Sequence, residues 1–170
     1  MKLLSDFFDR DVLDVAPELV GKLLVRKFDD GKVIKLRITE TEAYRGEEDK
    51  ACHASKGRTA RTEVMYKGPG CIYIYLIYGM YWMLNIVTEK ENVPQAVLIR
   101  GAGEYDGPGK LTKALKITKD INTLNISICS QMWIEDDGYC PQLAVAPRIG
   151  IDYAGEEWAL KPWRFIDKRN

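Results

Sequence analysis

Only three residues separate two strongly β-forming runs in the middle of this chain. Ile72 to Ile77 and Tyr81 to Val87 are dense in β-branched and aromatic residues, and Tyr78-Gly79-Met80 is all that joins them. A parallel crossover needs a dozen or more residues, so the two runs must form an antiparallel hairpin. A second hairpin is expected upstream. Leu23 to Phe28 reads as a strand, Asp29-Asp30-Gly31 as its turn, and Ile34, Leu36 and Ile38 as the apolar face of the returning strand. Ala96 to Arg100 reads as a further short strand, and Arg148 to Ile151 as a last one, with Pro162-Trp163-Arg164-Phe165 packing near the end. Helical signal is brief. Val12, Leu13, Val15 and Ala16 lead into Pro17, which is expected to open a short helix carrying Leu19 and Val20 that Gly21 stops. Leu111, Ala114 and Leu115 form an i, i+3, i+4 stripe after Gly107-Pro108-Gly109-Lys110. Residues 120–145 carry mixed signals without an assignment. Strands in runs with short turns point to an α+β fold with a mainly antiparallel sheet.

At 170 residues one domain is expected, and 46% apolar with 29% charged residues is the composition of an ordinary globular protein, which sets aside disorder and collagen-like repeats. No run approaches the roughly 18–20 apolar residues of a membrane helix. Acids interrupt MKLLSDFFDRD too early for a secretory segment, so an intracellular, cytoplasmic protein is expected, nucleoid-associated in a prokaryote. Cys52, Cys71, Cys129 and Cys140 show no CxxC or Cys–His ligand spacing, so reduced thiols are expected and no zinc or other metal site. Charge is less simple. The 25 Lys and Arg balance the 25 Asp and Glu, which argues mildly against nucleic acid. Residues 51–119, however, hold 10 basic against 5 acidic side chains, so a basic footprint survives locally.

Continuing the period of two past Ile38 sets Glu40 and Glu42 on the apolar face, where a carboxylate costs several kcal/mol unless it is paired or employed. Two such groups could serve as general base and supporting acid; as a strand end emerging into solvent they would be ordinary surface acids. His53, the only histidine, carries any imidazole chemistry there is, although a lone histidine is more often a hydrogen-bonded structural residue. Tyr73, Tyr75, Tyr78, Tyr81 and Trp82 suit a sheet core. Those of them near the bend, with Met80, could instead wedge between stacked bases. Asn85 sits mid-strand among apolar neighbours and needs partners, from a structural network or from a ligand. Lys56 to Thr62, with Arg58 and Arg61, has side chains of the kind that contact phosphates. The Gly107–Lys110 turn offers helix-start N–H groups and the Lys110 charge to an anion without matching a Walker A loop.

In order and spacing these segments resemble the alkyladenine (3-methyladenine, or N-methylpurine) DNA glycosylase family. The resemblance runs through ETEAY at Glu40–Tyr44, then Asp49, His53 and GRTxR at Gly57–Arg61. It continues with YxYLIYGMY at Tyr73–Tyr81, Asn85, AVLIR at Ala96–Arg100 and GPGKL at Gly107–Leu111, and ends with RIGI at Arg148–Ile151 and PWRF at Pro162–Phe165. It spans essentially the whole chain, apart from residues 120–145. The resemblance implies a single domain with a curved antiparallel sheet flanked by helices, no cofactor, and double-stranded DNA with damaged purines as partner, bound by a monomer. It further implies that Glu42 activates water and Arg100 positions water or phosphate beside it. Tyr44, His53 and Tyr75 would line a pocket for a flipped base with Asn85 at its floor, while Tyr78 fills the gap and Met80 and Tyr81 press on the DNA. Such an enzyme hydrolyses the N-glycosidic bond and, lacking a lysine placed as a Schiff-base nucleophile, does not cut the strand. The residues alone leave two rivals: a metal-dependent nuclease using Glu40, Glu42, Asp49 and His53 as ligands, and a lesion-binding module without catalysis.

Overall fold

A computed structural model describes residues 1–169. Eight strands form one sheet: β1 (Leu23–Lys27), β2 (Val33–Arg45), β3 (Ile72–Ile77), β4 (Tyr81–Thr88), β5 (Gln95–Ala102), β6 (Met132–Glu135), β7 (Leu143–Ala146) and β8 (Arg164–Asp167). The order is β3-β4-β5-β2-β1-β6, with β8 added to β2 and β7 to β8, and every pairing is antiparallel. The helices are short: α1 (Ser5–Phe8), α2 (Val12–Leu19), α3 (Pro108–Ala114) and α4 (Glu156–Ala159). This is the expected α+β class.

The 13-residue β2 organises the sheet. Its first half pairs with β1, and its second half lies between β5 and β8. Register shifts interrupt it at Ile38/Glu40 and Glu40/Thr41, the mark of a β-bulge. Here the structure corrects the extrapolated period. Ile38 packs in the main core, but after the bulge Thr41 and Ala43 take that face, with the Thr41 hydroxyl donating to the Ala16 carbonyl of α2 at 2.8 Å. Glu40, Glu42 and Tyr44 therefore point to the opposite side. One inserted residue exchanges the faces of everything beyond it.

The sheet consequently has two furnished faces. On one, Ile72, Ile74, Leu84, Ile86, Val97 and Ile99 pack with α2 and α3 into the larger core. On the other, Tyr73, Cys71 and Ala96 meet Cys52, Met65 and Tyr66 in a smaller cluster that Tyr44 and Tyr75 flank.

Two further expectations are corrected. The helix expected to begin at Pro17 begins at Val12: Asp11 caps it by accepting from the Leu13 N–H at 2.9 Å, and Pro17 sits inside the helix. A side-chain cap and the buried stripe Val12, Val15, Ala16 and Leu19 outweigh one lost backbone donor. Arg148 to Ile151 is loop rather than strand. Gly150 adopts φ +74°, and the side chain and backbone of this segment are turned inward to carboxylates instead of into a ladder. Residues 120–145, unassigned by pattern, supply β6, which extends the sheet beyond β1, and most of β7.

Candidate active site

Glu42 lies between Leu98 of β5 and Arg164 of β8 in register and is fully buried. Both its oxygens are engaged. Oε1 accepts from the Tyr44 hydroxyl at 3.0 Å and lies 3.6 Å from Arg100 Nη1, while Oε2 accepts from the Ile149 N–H at 2.7 Å. Burial pushes its pKa up; the Arg100 charge and the Ile149 and Tyr44 donors hold it back. A carboxylate fixed at both oxygens, yet more basic than in water, suits the abstraction of a proton. Glu40, two residues earlier, accepts from Arg100 Nε at 3.2 Å and Arg164 Nη1 at 3.0 Å, and so holds both guanidinium groups in place.

Strand register carries the remaining walls. Tyr44 faces Ala96, Tyr73 faces Asn85, Asn85 faces Leu98 and Tyr75 faces Met83, all on the Glu42 side of the sheet. Asn85 is buried and donates to the Tyr73 and Met83 carbonyls at 3.2 and 3.4 Å. His53 opens a short 3₁₀ helix (His53–Lys56) and sets its ring edge-on to Tyr75, centroids 4.5 Å apart. Its Nδ1 is 2.9 Å from the Tyr73 hydroxyl. Burial, aided by the Arg61 and Lys56 charges, pushes the His53 pKa down to about 4, so this imidazole is neutral at physiological pH. Tyr44 and Tyr75 are held as phenols, their pKa values raised chiefly by burial.

These side chains enclose two connected spaces. An inner chamber is lined by Cys52, Met65, Tyr73 and Asn85; it shares Tyr44, His53, Tyr75 and Tyr153 with an outer cleft that contains Glu42 and Arg100. The cleft runs out along Tyr78 and Tyr81 of the hairpin tip to Gly107–Lys110. At that tip Tyr78 is 85% and Met80 65% exposed. Tyr78 also holds φ +53°, a left-handed conformation that costs a non-glycine residue about 1–2 kcal/mol. Strain spent to present an aromatic ring to solvent is a functional signature. The tip is braced from below: Thr112 of α3 donates to the Trp82 carbonyl at 2.8 Å, and Gly109 lies so near Tyr81 that a Cβ there would meet its ring at 2.9 Å.

Of the expected residues, Glu42, Tyr44, His53, Tyr75, Tyr78, Tyr81, Arg61, Arg100 and Lys110 line the cleft, and Asn85 the chamber. Met80 stands at the tip beside them. Lys110 is paired with Asp106 at 2.6 Å. Arg58 is not brought in: it pairs with Glu63 and lies over Tyr66. Asp49 lies behind the site, fully buried, and accepts from Arg148 at 2.6 and 3.0 Å. Glu40, Glu42, Asp49 and His53 do not converge, and the described residues contain no group of three or more potential metal-ligating side chains.

Sequence reasoning missed Arg148, Ile149 and Tyr153. Arg148 also donates to the Ala43 carbonyl at 3.0 Å and stacks 5.0 Å from Tyr44, which sets the Ile149 N–H opposite Glu42. Tyr153 donates to the Ala51 carbonyl at 3.1 Å and tethers this loop across the pocket mouth. Gly150 was the available signal, since a glycine between two isoleucines marks a turn as readily as a strand.

A curved antiparallel sheet thus presents a sealed carboxylate beside an aromatic slot, with an exposed aromatic tip and basic side chains along the cleft. The family model described as Methylpurine-DNA glycosylase (MPG) matches residues 6–106 and 102–170. A Methanocella arvoryzae protein, provisionally named 3-methyladenine DNA glycosylase, is 50% identical over 97% of this chain and 92% of its own length. Proteins of the same provisional name from Natranaerobius thermophilus and Legionella pneumophila are 42% and 44% identical, over 100% and 99% of this chain and 97% and 96% of their own lengths. The chain belongs to the methylpurine-DNA glycosylase family and is a DNA-repair hydrolase of the N-glycosidic bond. No helix among the described residues is long and apolar enough to cross a membrane.

Proposed function

We propose that this protein removes alkylated purines of the 3-methyladenine type from duplex DNA by extruding the damaged nucleotide and hydrolysing its glycosidic bond with water activated by Glu42. The observation that carries this reading is the position of Glu42, sealed at both oxygens where the outer cleft meets the aromatic chamber. A base inside a duplex is out of reach, so the enzyme must unstack it at a cost of a few kcal/mol. Tyr78 enters the space it leaves, and Met80 and Tyr81 press on the adjoining pairs. The base lies against Tyr44, His53 and Tyr75 with Asn85 at the floor. An electron-poor, positively charged alkylpurine gains most from such walls through stacking and cation–π attraction.

That base is already a good leaving group, so the remaining need is a nucleophile. Glu42 takes a proton from water, Arg100 orients that water and keeps the carboxylate ionised, and the same negative charge stabilises an oxocarbenium-like sugar. The cationic base leaves as a neutral purine and needs no proton, which suits a neutral His53 that has none to donate near pH 7; the proton Glu42 took from water then passes to solvent. Arg61 and Lys110 contact phosphates. The reaction needs no cofactor, leaves an abasic site without strand cleavage, and is carried out by a monomer.

The test is a panel of duplexes carrying single methylated or deaminated purines, incubated with the protein and excess chelator, with free base and strand length both measured. Release of methylated purine from an intact strand is expected. Absence of base release from every duplex, or cleavage that disappears with chelator and returns with Mg²⁺, would overturn the proposal.

A further inference from the structure

Arg58 and Arg61 share one basic turn but are held differently. Arg58 donates to both oxygens of Glu63 at 2.7 and 2.9 Å and to Asn92 Oδ1 at 3.0 Å. Arg61 has no carboxylate partner among the described residues. It is exposed, lines the outer cleft, and its guanidinium carbon lies 5.2 Å from the centroid of the Tyr75 ring. Its charge is felt by His53 and by the Tyr73 hydroxyl, the two groups next to that ring. The other cation on a wall tyrosine, Arg148 over Tyr44, is buried and paired with Asp49. Arg61 instead approaches from the side through which a substrate must come.

We propose that Arg61 is the resident occupant of the Tyr75 face in the DNA-free protein, exchanged for a base when DNA docks and returning to displace the base once it is freed. The inference rests on the reading of this cleft as a base pocket. A guanidinium and a purine are both flat groups that stack on aromatic faces, so they compete for one ring. A base arriving on DNA brings phosphates that accept the displaced guanidinium; a free base brings none. One side chain therefore strengthens binding of the nucleic acid and weakens binding of the product. This asymmetry favours release of the base once the abasic strand, with the phosphates that hold Arg61, has left.

The test compares wild type with Arg61→Ala and Arg61→Gln, substitutions at an exposed position whose folding is checked by thermal melts. Two quantities are measured: the inhibition constant of free 3-methyladenine against base release, and the dissociation constant for a lesion duplex across a salt series. The expected result has opposite signs. Free-base binding tightens two- to fivefold, the scale of one exposed cation–π contact. Duplex binding weakens, and its salt slope falls by about one. Unchanged or weaker free-base binding in both variants would overturn the exchange and leave Arg61 a phosphate contact only. If free 3-methyladenine binds neither wild type nor variants, the base-pocket reading fails and the exchange fails with it.

Discussion

Two opposing influences meet at Glu42: burial favours its protonated form, and the Arg100 charge with the Ile149 and Tyr44 donors favours the carboxylate. In the proposed mechanism the working base is the ionised form, so activity should fall with decreasing pH on a limb that lies above the ordinary glutamate range. Replacing Arg100 by Gln removes a positive charge that lowers the Glu42 pKa, so the acid limb of the single-turnover rate should move to higher pH. An unmoved limb would contradict this assignment. His53 gives the reverse sign for stability. Its folded pKa of about 4 lies below the ordinary 6.5, so the unfolded chain takes up a proton first as pH falls. The stability contributed by neutral His53 is complete above pH 6.5 and is lost progressively toward pH 4, up to about 3 kcal/mol. Urea melts between pH 7 and 4.5 should show that slope in wild type and a shallower one in His53→Gln; parallel slopes would refute it.

At the scale of elements, the bulge in β2, the β3–β4 hairpin and the loop from Arg148 to Ala154 together build the site. The buried Asp49–Arg148 pair joins this loop to the segment after β2, and removing one partner leaves an uncompensated charge. Asp49→Ala should cost about 3–5 kcal/mol in denaturant unfolding, whereas a cost below 1 kcal/mol would show that the pair does not hold the loop. Tyr78→Ala should behave oppositely. At 85% exposure the ring contributes little to the fold, so stability should stay within about 0.5 kcal/mol, while base release falls roughly ten- to a hundredfold, as for loss of one base-stacking contact. The hairpin was legible in the sequence because three residues permit one connection only, and Ile72–Ile77 and Tyr81–Thr88 match the runs that announced it. The face occupied by Glu42 was not, because a period of two carries no record of an inserted residue until partner strands are known. Arg148 was beyond local reading for another reason: its carboxylate partner lies 99 residues away. Residues 120–145 concealed β6 because its four residues alternate only Met132 and Ile134 into the core, too short a pattern to stand out.

Across the whole molecule, zero net charge coexists with a basic middle third that contributes Arg61, Arg100 and Lys110 to the cleft. Several of these charges already have partners, as Lys110 has in Asp106, so phosphate binding replaces existing pairs and should be modest and salt-sensitive. The molecule thus divides its tasks. In the proposed mechanism the hairpin tip and basic rim engage DNA, the aromatic walls hold the base, and chemistry falls to Glu42, which lies 0% exposed behind them. Binding and hydrolysis should therefore separate in a single substitution. Glu42→Gln keeps the size of the side chain and removes its basicity, and the decisive measurement is base release under single turnover alongside affinity for the same 3-methyladenine duplex. Loss of release by at least a hundredfold, with lesion-duplex affinity retained within a few fold, is the expected result. Release at the wild-type rate would contradict the account at its centre.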